Sequence, residues 1–149
     1  MLSRILSVLC MAIVLGGCAT YRETTPRLDE YSQHYSQFDL QLAWNTRVAD
    51  GVTIIDGIVK NVRYQAVYDL EIWVSVLAPR QKVTARAVSY VIPSQLNLED
   101  TARFSLELPQ AVQPGSRLQF TYRYRATEGG GDNGGTNWMQ SFDVLVPQR

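Results

Sequence analysis

The sequence predicts an all-β fold of two antiparallel sheets, and three observations on residues 38–146 support this prediction. Apolar and polar side chains alternate along successive segments, which is the pattern of half-buried strands. Glycine, proline and aspartate separate these segments as they do at short turns. No segment shows a sustained helical period. About seven strands in about 110 residues favour a sandwich, whereas an up-and-down barrel would need an eighth strand.

Residues 1–17 have the pattern of a secretory signal peptide. Arg4 supplies one positive charge, residues 5–15 are apolar apart from one serine, and Gly16 and Gly17 follow. The apolar run is too short for a retained membrane-spanning helix, which needs about 20 residues.

The stretch Leu15-Gly16-Gly17-Cys18 resembles the lipobox of bacterial lipoproteins, with a leucine three residues before the cysteine and small residues between. This resemblance covers residues 1–18. It implies that diacylglycerol alkylates the Cys18 thiol, that the chain is cut before Cys18 and that the new amine is acylated. Three acyl chains anchor a protein durably, at about 0.8 kcal/mol per buried methylene. An ordinary secretory signal, leaving a free Cys18 thiol, is the alternative.

The residue after Cys18 bears on whether the protein stays at the inner membrane or reaches the outer membrane. In Gram-negative lipoproteins like those this chain resembles, aspartate at that position tends to retain the protein at the inner membrane. Ala19 stands there instead. The resemblance therefore implies a lipid anchor in the outer membrane, with the domain facing the periplasm.

Residues 18–37 are predicted to be the lipidated cysteine and a flexible tether, followed by a sandwich domain over residues 38–149. The stretch is polar, contains Pro26 and shows no sustained apolar period. Extended at about 3 Å per residue, it would hold the domain some tens of ångströms from the bilayer. The only histidine, His34, lies here and is expected to be solvated, without a metal or catalytic role.

The first two predicted strands differ in whether one face or both faces carry apolar side chains. The first places apolar groups on one side and polar groups on the other, the inward set being Phe38, Leu40, Leu42 and Trp44 and the outward set Asp39 and Gln41. The second, residues 52–62, carries apolar groups on both faces and is therefore expected to be central. Gly57 within it indicates either a bulge or a neighbour packed close to the backbone.

The remaining strands are predicted over residues 66–77, 83–92, 101–108, 117–125 and 138–146. In the strands 101–108 and 117–125 the side chains that alternate with polar residues and are expected inward are Ala102, Phe104, Leu106, Leu108, Leu118, Phe120, Tyr122 and Tyr124. Pro93 cannot donate to a ladder, so pairing should stop there. The strand over residues 66–77 has the strongest pattern, with Tyr68, Leu70, Ile72, Val74 and Val76 expected inward and Asp69, Glu71, Trp73 and Ser75 outward.

A second resemblance rests on Gly57-Ile58-Val59-Lys60-Asn61, on Val67-Tyr68-Asp69-Leu70, and on a late Pro-Gly turn before an aromatic strand. Together they resemble the immunoglobulin-like domains of bacterial envelope proteins, of which the FxLYD-type domain is the nearest. This resemblance covers about residues 38–146. It implies an antiparallel two-sheet immunoglobulin-like sandwich and no catalytic residues.

Composition and residue inventory argue against several functions. Loss of Arg4 with the signal leaves 13 of the 14 Lys and Arg against 14 Asp and Glu, so no nucleic acid partner is expected. Cys10 leaves with the signal and Cys18 carries lipid, so no disulfide is expected. Beyond the tether there is no Cys/His cluster at metal-ligand spacing and no Ser/His pair, so no metal, cofactor or catalytic centre is predicted.

Five residues are candidates for contact with a partner or a glycan. Asp69 and Glu71 lie two residues apart, on the same face of one strand and beside Trp73. The two carboxylates could supply an acid and a base, and the indole ring a surface for a sugar. Solvated strand faces commonly carry such residues as well. Trp73 is expected to be exposed, or else covered by a loop or the other layer. Arg123 and Arg125, with Arg103 expected on a neighbouring strand, form either a basic patch or a guard against edge-to-edge association.

Residues 128–136 are predicted to be a flexible hairpin loop, because they are rich in glycine. A phosphate-binding loop would need a lysine and a following helix. A calcium site would need about six oxygen ligands, more than this loop's side chains offer. Contact of the loop with a partner remains the functional alternative.

Taken together, these features predict a membrane-anchored lipoprotein with a non-catalytic immunoglobulin-like binding or scaffolding domain in the bacterial cell envelope. Its expected contacts are the membrane, through lipid on Cys18, and an envelope protein. The alternative is a carbohydrate-binding module for peptidoglycan or surface polysaccharide that uses Trp73. An envelope enzyme relying on Asp69 and Glu71 ranks third.

Overall fold

Two antiparallel sheets pack face to face over residues 27–127 and 135–148, the residues that the computed structural model describes. The four-stranded sheet has the order β1-β2-β3-β7, and the five-stranded sheet has the order β5-β4-β8-β9 with β6 paired to part of β4. The predicted two-sheet immunoglobulin-like sandwich is confirmed. The strands are β1 Gln33–Ser36, β2 Leu40–Ala49, β3 Val52–Asn61, β4 Ala66–Ala78, β5 Lys82–Tyr90, β6 Gln95–Leu96, β7 Thr101–Leu108, β8 Arg117–Thr127 and β9 Thr136–Leu145.

The core lies between the two sheets. It is formed by the inward side chains of the strands in which apolar and polar residues alternate most clearly. In β7 and β8 every predicted inward residue is buried, and these are Ala102, Phe104, Leu106, Leu108, Leu118, Phe120, Tyr122 and Tyr124. β3 is central, as predicted, because it pairs with both β2 and β7. Cys18, the signal segment and most of the glycine-rich loop lie outside the described residues. Within those described, no helix is long and apolar enough to cross a bilayer.

Gly57 marks a close approach of neighbours and not a bulge. It pairs with Trp44 on one side and Phe104 on the other, in ladders without a register shift. A Cβ at this position would lie 2.5 Å from the Ala43 carbonyl oxygen and 2.5 Å from Cζ of Phe104. Only glycine leaves room for that aromatic ring.

A bulge in β4 reverses the orientation that the sequence predicts for Tyr68. The ladder with β8 shifts between Tyr68 and Glu71, and Asp69 has a φ of 53°. The extra residue changes the parity of the strand, so Val67 and Leu70 are both buried. The prediction that Tyr68 faces the core is therefore wrong. A strict period of two cannot reveal a bulge.

The N-terminal segment is ordered where a tether was predicted. A 3₁₀ turn spans Leu28–Glu30, and β1 pairs with β2. The Ser32 backbone N–H donates to Oδ1 of Asn45 at 2.9 Å, and the Tyr35 ring stacks on Phe142 with centroids 3.5 Å apart. The prediction of a flexible tether is wrong over these residues, because a four-residue strand is too short to show a period.

The start of the first long strand is also corrected. Phe38 was predicted inward and is 64% exposed, whereas Asp39 was predicted outward and is 2% exposed. β2 begins only at Leu40. The alternation was therefore extended two residues too far, into the turn that joins β1 to β2.

Candidate functional site

All five predicted contact residues come together on the outer face of the five-stranded sheet. Asp69, Glu71 and Trp73 lie on β4, while Arg123 and Arg125 lie on β8, the strand that pairs with it. The register places Glu71 directly opposite Arg123. We call this group of five residues the paired-charge face.

Glu71 and Arg123 form a two-pronged ion pair. Nε of Arg123 donates to Oε2 of Glu71 at 2.7 Å, and Nη2 donates to Oε1 at 2.9 Å. Nε1 of Trp73 donates to Oε2 at 2.9 Å, so the carboxylate accepts three hydrogen bonds. The bond from Arg123 holds the pKa of Glu71 below its ordinary value, while desolvation opposes the shift. Glu71 is therefore held in its ionised form.

Asp69 and Arg125 form a second, more exposed ion pair. Nη2 of Arg125 lies 3.0 Å from Oδ2 of Asp69, and both side chains are more than half exposed. Such a pair contributes about 0–1 kcal/mol to stability. The Arg125 guanidinium also lies 5.7 Å from the centroid of the Tyr68 ring. Each carboxylate of the face thus bonds to its own arginine.

Trp73 is half-buried, an outcome between the two that were expected. Its indole N–H is bonded to Glu71, and the Arg123 guanidinium lies 5.8 Å from its ring centroid. The ion pair therefore fixes the orientation of the ring.

Two exposed residues missed by the sequence analysis extend the face along one cross-strand row. Tyr90 on β5 pairs with Glu71 and is 66% exposed, while Met139 on β9 pairs with Arg123 and is 71% exposed. The row therefore reads Tyr90–Glu71–Arg123–Met139. A groove of about 480 Å³ borders it, lined by Asp69, Glu71, Arg123, Tyr124, Arg125, Asn137, Trp138 and Met139. Only the register between four strands could have revealed this row.

Arg103 does not join this face, contrary to expectation. It lies on β7 and pairs with Ile58 in the four-stranded sheet. β7 and β8 follow each other in the chain but belong to different sheets, so proximity in sequence was misleading.

A buried carboxylate lies beneath the end of this face. Asp39 accepts hydrogen bonds from the hydroxyls of Tyr122 at 2.9 Å and Tyr124 at 2.8 Å. Nη1 of Arg63 in turn donates to the Tyr124 hydroxyl at 3.3 Å. Desolvation, followed by the nearby Asp39 carboxylate, raises the pKa of both tyrosines. This cluster ties the β1–β2 turn of one sheet to β8 of the other.

No constellation for metal binding is present in residues 27–127 and 135–148. Nowhere in these ranges do three histidine, cysteine, aspartate or glutamate side chains lie close enough to hold an ion. The paired-charge face itself presents two ion pairs and the indole ring of Trp73.

Comparison with known proteins bears on the fold alone. No protein-family model matches the chain, and no curated protein matches it in sequence. It is similar to the GAE domain of GGA2p from Saccharomyces cerevisiae, with a TM-score of 0.51 and 10% identity over 78% of this chain and 97% of that one. The yeast GGA1 GAE domain gives 0.51 and 9% over 78% of this chain and 100% of that one. A DUF4426 family protein from Pseudomonas aeruginosa PAO1 gives 0.44 and 13%, over 79% and 100%.

Proposed function

We propose that this chain is a lipid-anchored lipoprotein of the bacterial envelope, that its sandwich is a non-catalytic binding or scaffolding module, and that the paired-charge face is its contact surface. The row Tyr90–Glu71–Arg123–Met139 is the observation that carries the proposed contact surface. The proposed lipid anchor is supported by the lipobox resemblance at Leu15-Gly16-Gly17-Cys18. Tyrosine, tryptophan, arginine and methionine are the side chains enriched at protein interfaces. Here Glu71 holds both Arg123 and Trp73 in place through hydrogen bonds before any partner arrives.

The state of the carboxylates favours binding over catalysis. A general acid needs a pKa raised towards neutral pH, but the pKa of Glu71 is shifted the opposite way. Asp69 is bonded to Arg125 in an exposed pair. Glu71 therefore lacks the raised pKa of the general acid that hydrolysis by paired carboxylates requires.

The N-terminal segment packs against the four-stranded sheet and reaches the edge of the sandwich near Tyr90. Ser32 bonds to Asn45 on β2 of the four-stranded sheet. Tyr31 borders a groove that is lined by Asp56 and Arg103 from that sheet and by Tyr90 from β5 of the other sheet. Nine residue steps separate Cys18 from Arg27, and a fully extended chain covers roughly 30 Å in that length. Anchoring through Cys18 would thus hold Arg27 within roughly 30 Å of the lipid.

Site-specific cross-linking tests this proposal. A photo-reactive amino acid at Tyr90, in the full chain in its native envelope, should form an adduct with a specific envelope protein. The matched control is Glu107, which is exposed on β7 of the other sheet. No adduct from position 90, or the same adducts from both positions, would contradict the proposal.

A carbohydrate-binding module is the second candidate. It is favoured by three aromatic residues, Tyr68, Trp73 and Tyr90, around the same ion pairs. Under this hypothesis Trp73→Ala should weaken retention of the full chain on peptidoglycan, while Tyr64→Ala, at an 89% exposed position off the face, should not. Unchanged retention in Trp73→Ala would rule this candidate out.

A further inference from the structure

The outer edge of β9 differs from the other sheet edges among the described strands. β1 has only four residues, β5 carries Lys82 and Arg86, and β7 carries Arg103 and Glu107. Shortness and charge are features that discourage strand pairing. β9 has ten residues in an unbroken ladder with β8, without lysine, arginine, proline or a bulge, and its one charged residue is Asp143. Its outer edge is therefore suited to accept another strand.

Two antiparallel copies of β9, paired about Gln140, would place compatible side chains opposite each other. On the core side the strand reads Trp138, Gln140, Phe142, and on the outer side Asn137, Met139, Ser141, Asp143. An antiparallel copy centred on Gln140 places Trp138 opposite Phe142 and Asn137 opposite Asp143. Two-fold symmetry repeats each pair. At the centre the two Gln140 amides face each other, and each has a donor and an acceptor.

The exposed surface and the charges agree with this register. Gln140 is exposed, and Trp138 and Phe142 are only half-buried. The Arg63 guanidinium lies 4.7 Å from the centroid of the Trp138 ring. Both rings are already held in place, since Phe142 stacks on Tyr35 and Trp138 lies edge-on to Phe38. Arg125 on β8 pairs with Asn137 on β9. In the proposed register Asn137 lies opposite Asp143 of the second copy, so one cross-strand row contains arginine, asparagine and aspartate in that order. No like charges face each other.

We propose that β9 pairs antiparallel with β9 of a second copy, about a two-fold axis at Gln140. The two five-stranded sheets would then join edge to edge into one continuous sheet. This proposal does not rest on the proposed function, because it depends only on the edge and register of β9. It would bring two paired-charge faces side by side.

Cysteine cross-linking in the full chain tests the register. Only residue 140 meets its own copy, with Cβ atoms about 4.5–5.5 Å apart, so Gln140→Cys should give a disulfide-linked dimer on mild oxidation. Leu145→Cys, 61% exposed at the end of the same strand, should not. The unaltered chain gives the background from Cys10 and Cys18. Equal yields from positions 140 and 145, dimer from Ser141→Cys in place of Gln140→Cys, or adducts only with another protein would each overturn the proposal.

A charge change offers a second test that introduces no thiol. Asn137→Asp would place two carboxylates opposite each other at both ends of the paired strands, and should weaken the dimer about two- to thirty-fold by sedimentation. Asn137→Arg, opposite Asp143, should strengthen it. Because Asn137 is exposed, both variants should fold. The same dimer affinity in both variants, or no dimer in the unaltered chain, would overturn the proposal.

Discussion

Asp39 shows how one buried residue joins the two sheets. Its carboxylate is 2% exposed and accepts bonds from the hydroxyls of Tyr122 and Tyr124 and from the backbone N–H of Leu40. Burying a carboxylate is costly unless hydrogen bonds replace its water, and these donors provide that replacement. An aspartate beside an apolar run normally indicates a solvated face. Sequence patterning therefore placed this residue on the wrong side.

Asp39→Ala should destabilise the fold by about 1–3 kcal/mol for each tyrosine hydroxyl left without an acceptor. Asp39→Asn, which keeps one carbonyl acceptor, should lose less. Urea unfolding of both variants gives the comparison, with Glu107→Ala at an exposed position as the control. A loss in Asp39→Ala no larger than in the control would contradict the proposed role.

The same cluster predicts an alkaline limit to stability. Burial raises the pKa of Tyr122 and Tyr124 in the folded state, so the folded protein holds these protons more tightly than the unfolded chain does. Their contribution is complete below the unfolded tyrosine pKa of about 10 and is lost as pH rises from there towards the folded value. Spectroscopic titration should show both phenols ionising only as the protein unfolds. Ionisation of all eight tyrosines in the native protein near pH 10 would contradict this.

At the scale of elements, the long strands could be predicted and the short ones could not. β7 and β8 alternate strictly, and their predicted inward residues are all buried. β1 and β6 have four and two residues, too few to show a period. The bulge at Asp69 and the pairing of Tyr90 and Met139 with the ion pair depend on contacts distant in sequence. The sequence therefore predicts the five candidate contact residues, but neither the row in which Glu71 and Arg123 lie nor the residues at its ends, Tyr90 and Met139.

The assignment of β1 to the sandwich can be measured directly. Tyr35→Ala should destabilise the fold by about 1–3 kcal/mol, because it removes a half-buried ring stacked on Phe142. In a flexible tether the same change would have no effect on unfolding. Tyr64→Ala, at an 89% exposed position, serves as the control and should stay within about 0.5 kcal/mol. Equal stability of the two variants would show that β1 does not contribute to the fold.

At the scale of the whole molecule, the sandwich offers two separate surfaces. The four-stranded sheet receives the N-terminal segment, while the five-stranded sheet carries the paired-charge face and the free edge of β9. Alternation and turn spacing were enough to predict the two layers. They gave no partner, because the proposed contact surface arises only from the register between strands. The proposed function joins this surface to the lipobox resemblance at Leu15-Gly16-Gly17-Cys18, through a connection of nine residue steps.

The mass of the mature N-terminal peptide tests whether this chain is a lipid-anchored module of the envelope. We expect a peptide that begins at Cys18 and carries a thioether-linked diacylglycerol and an acylated amine. A peptide with an unmodified Cys18 thiol, or a chain that begins at another residue, would contradict it.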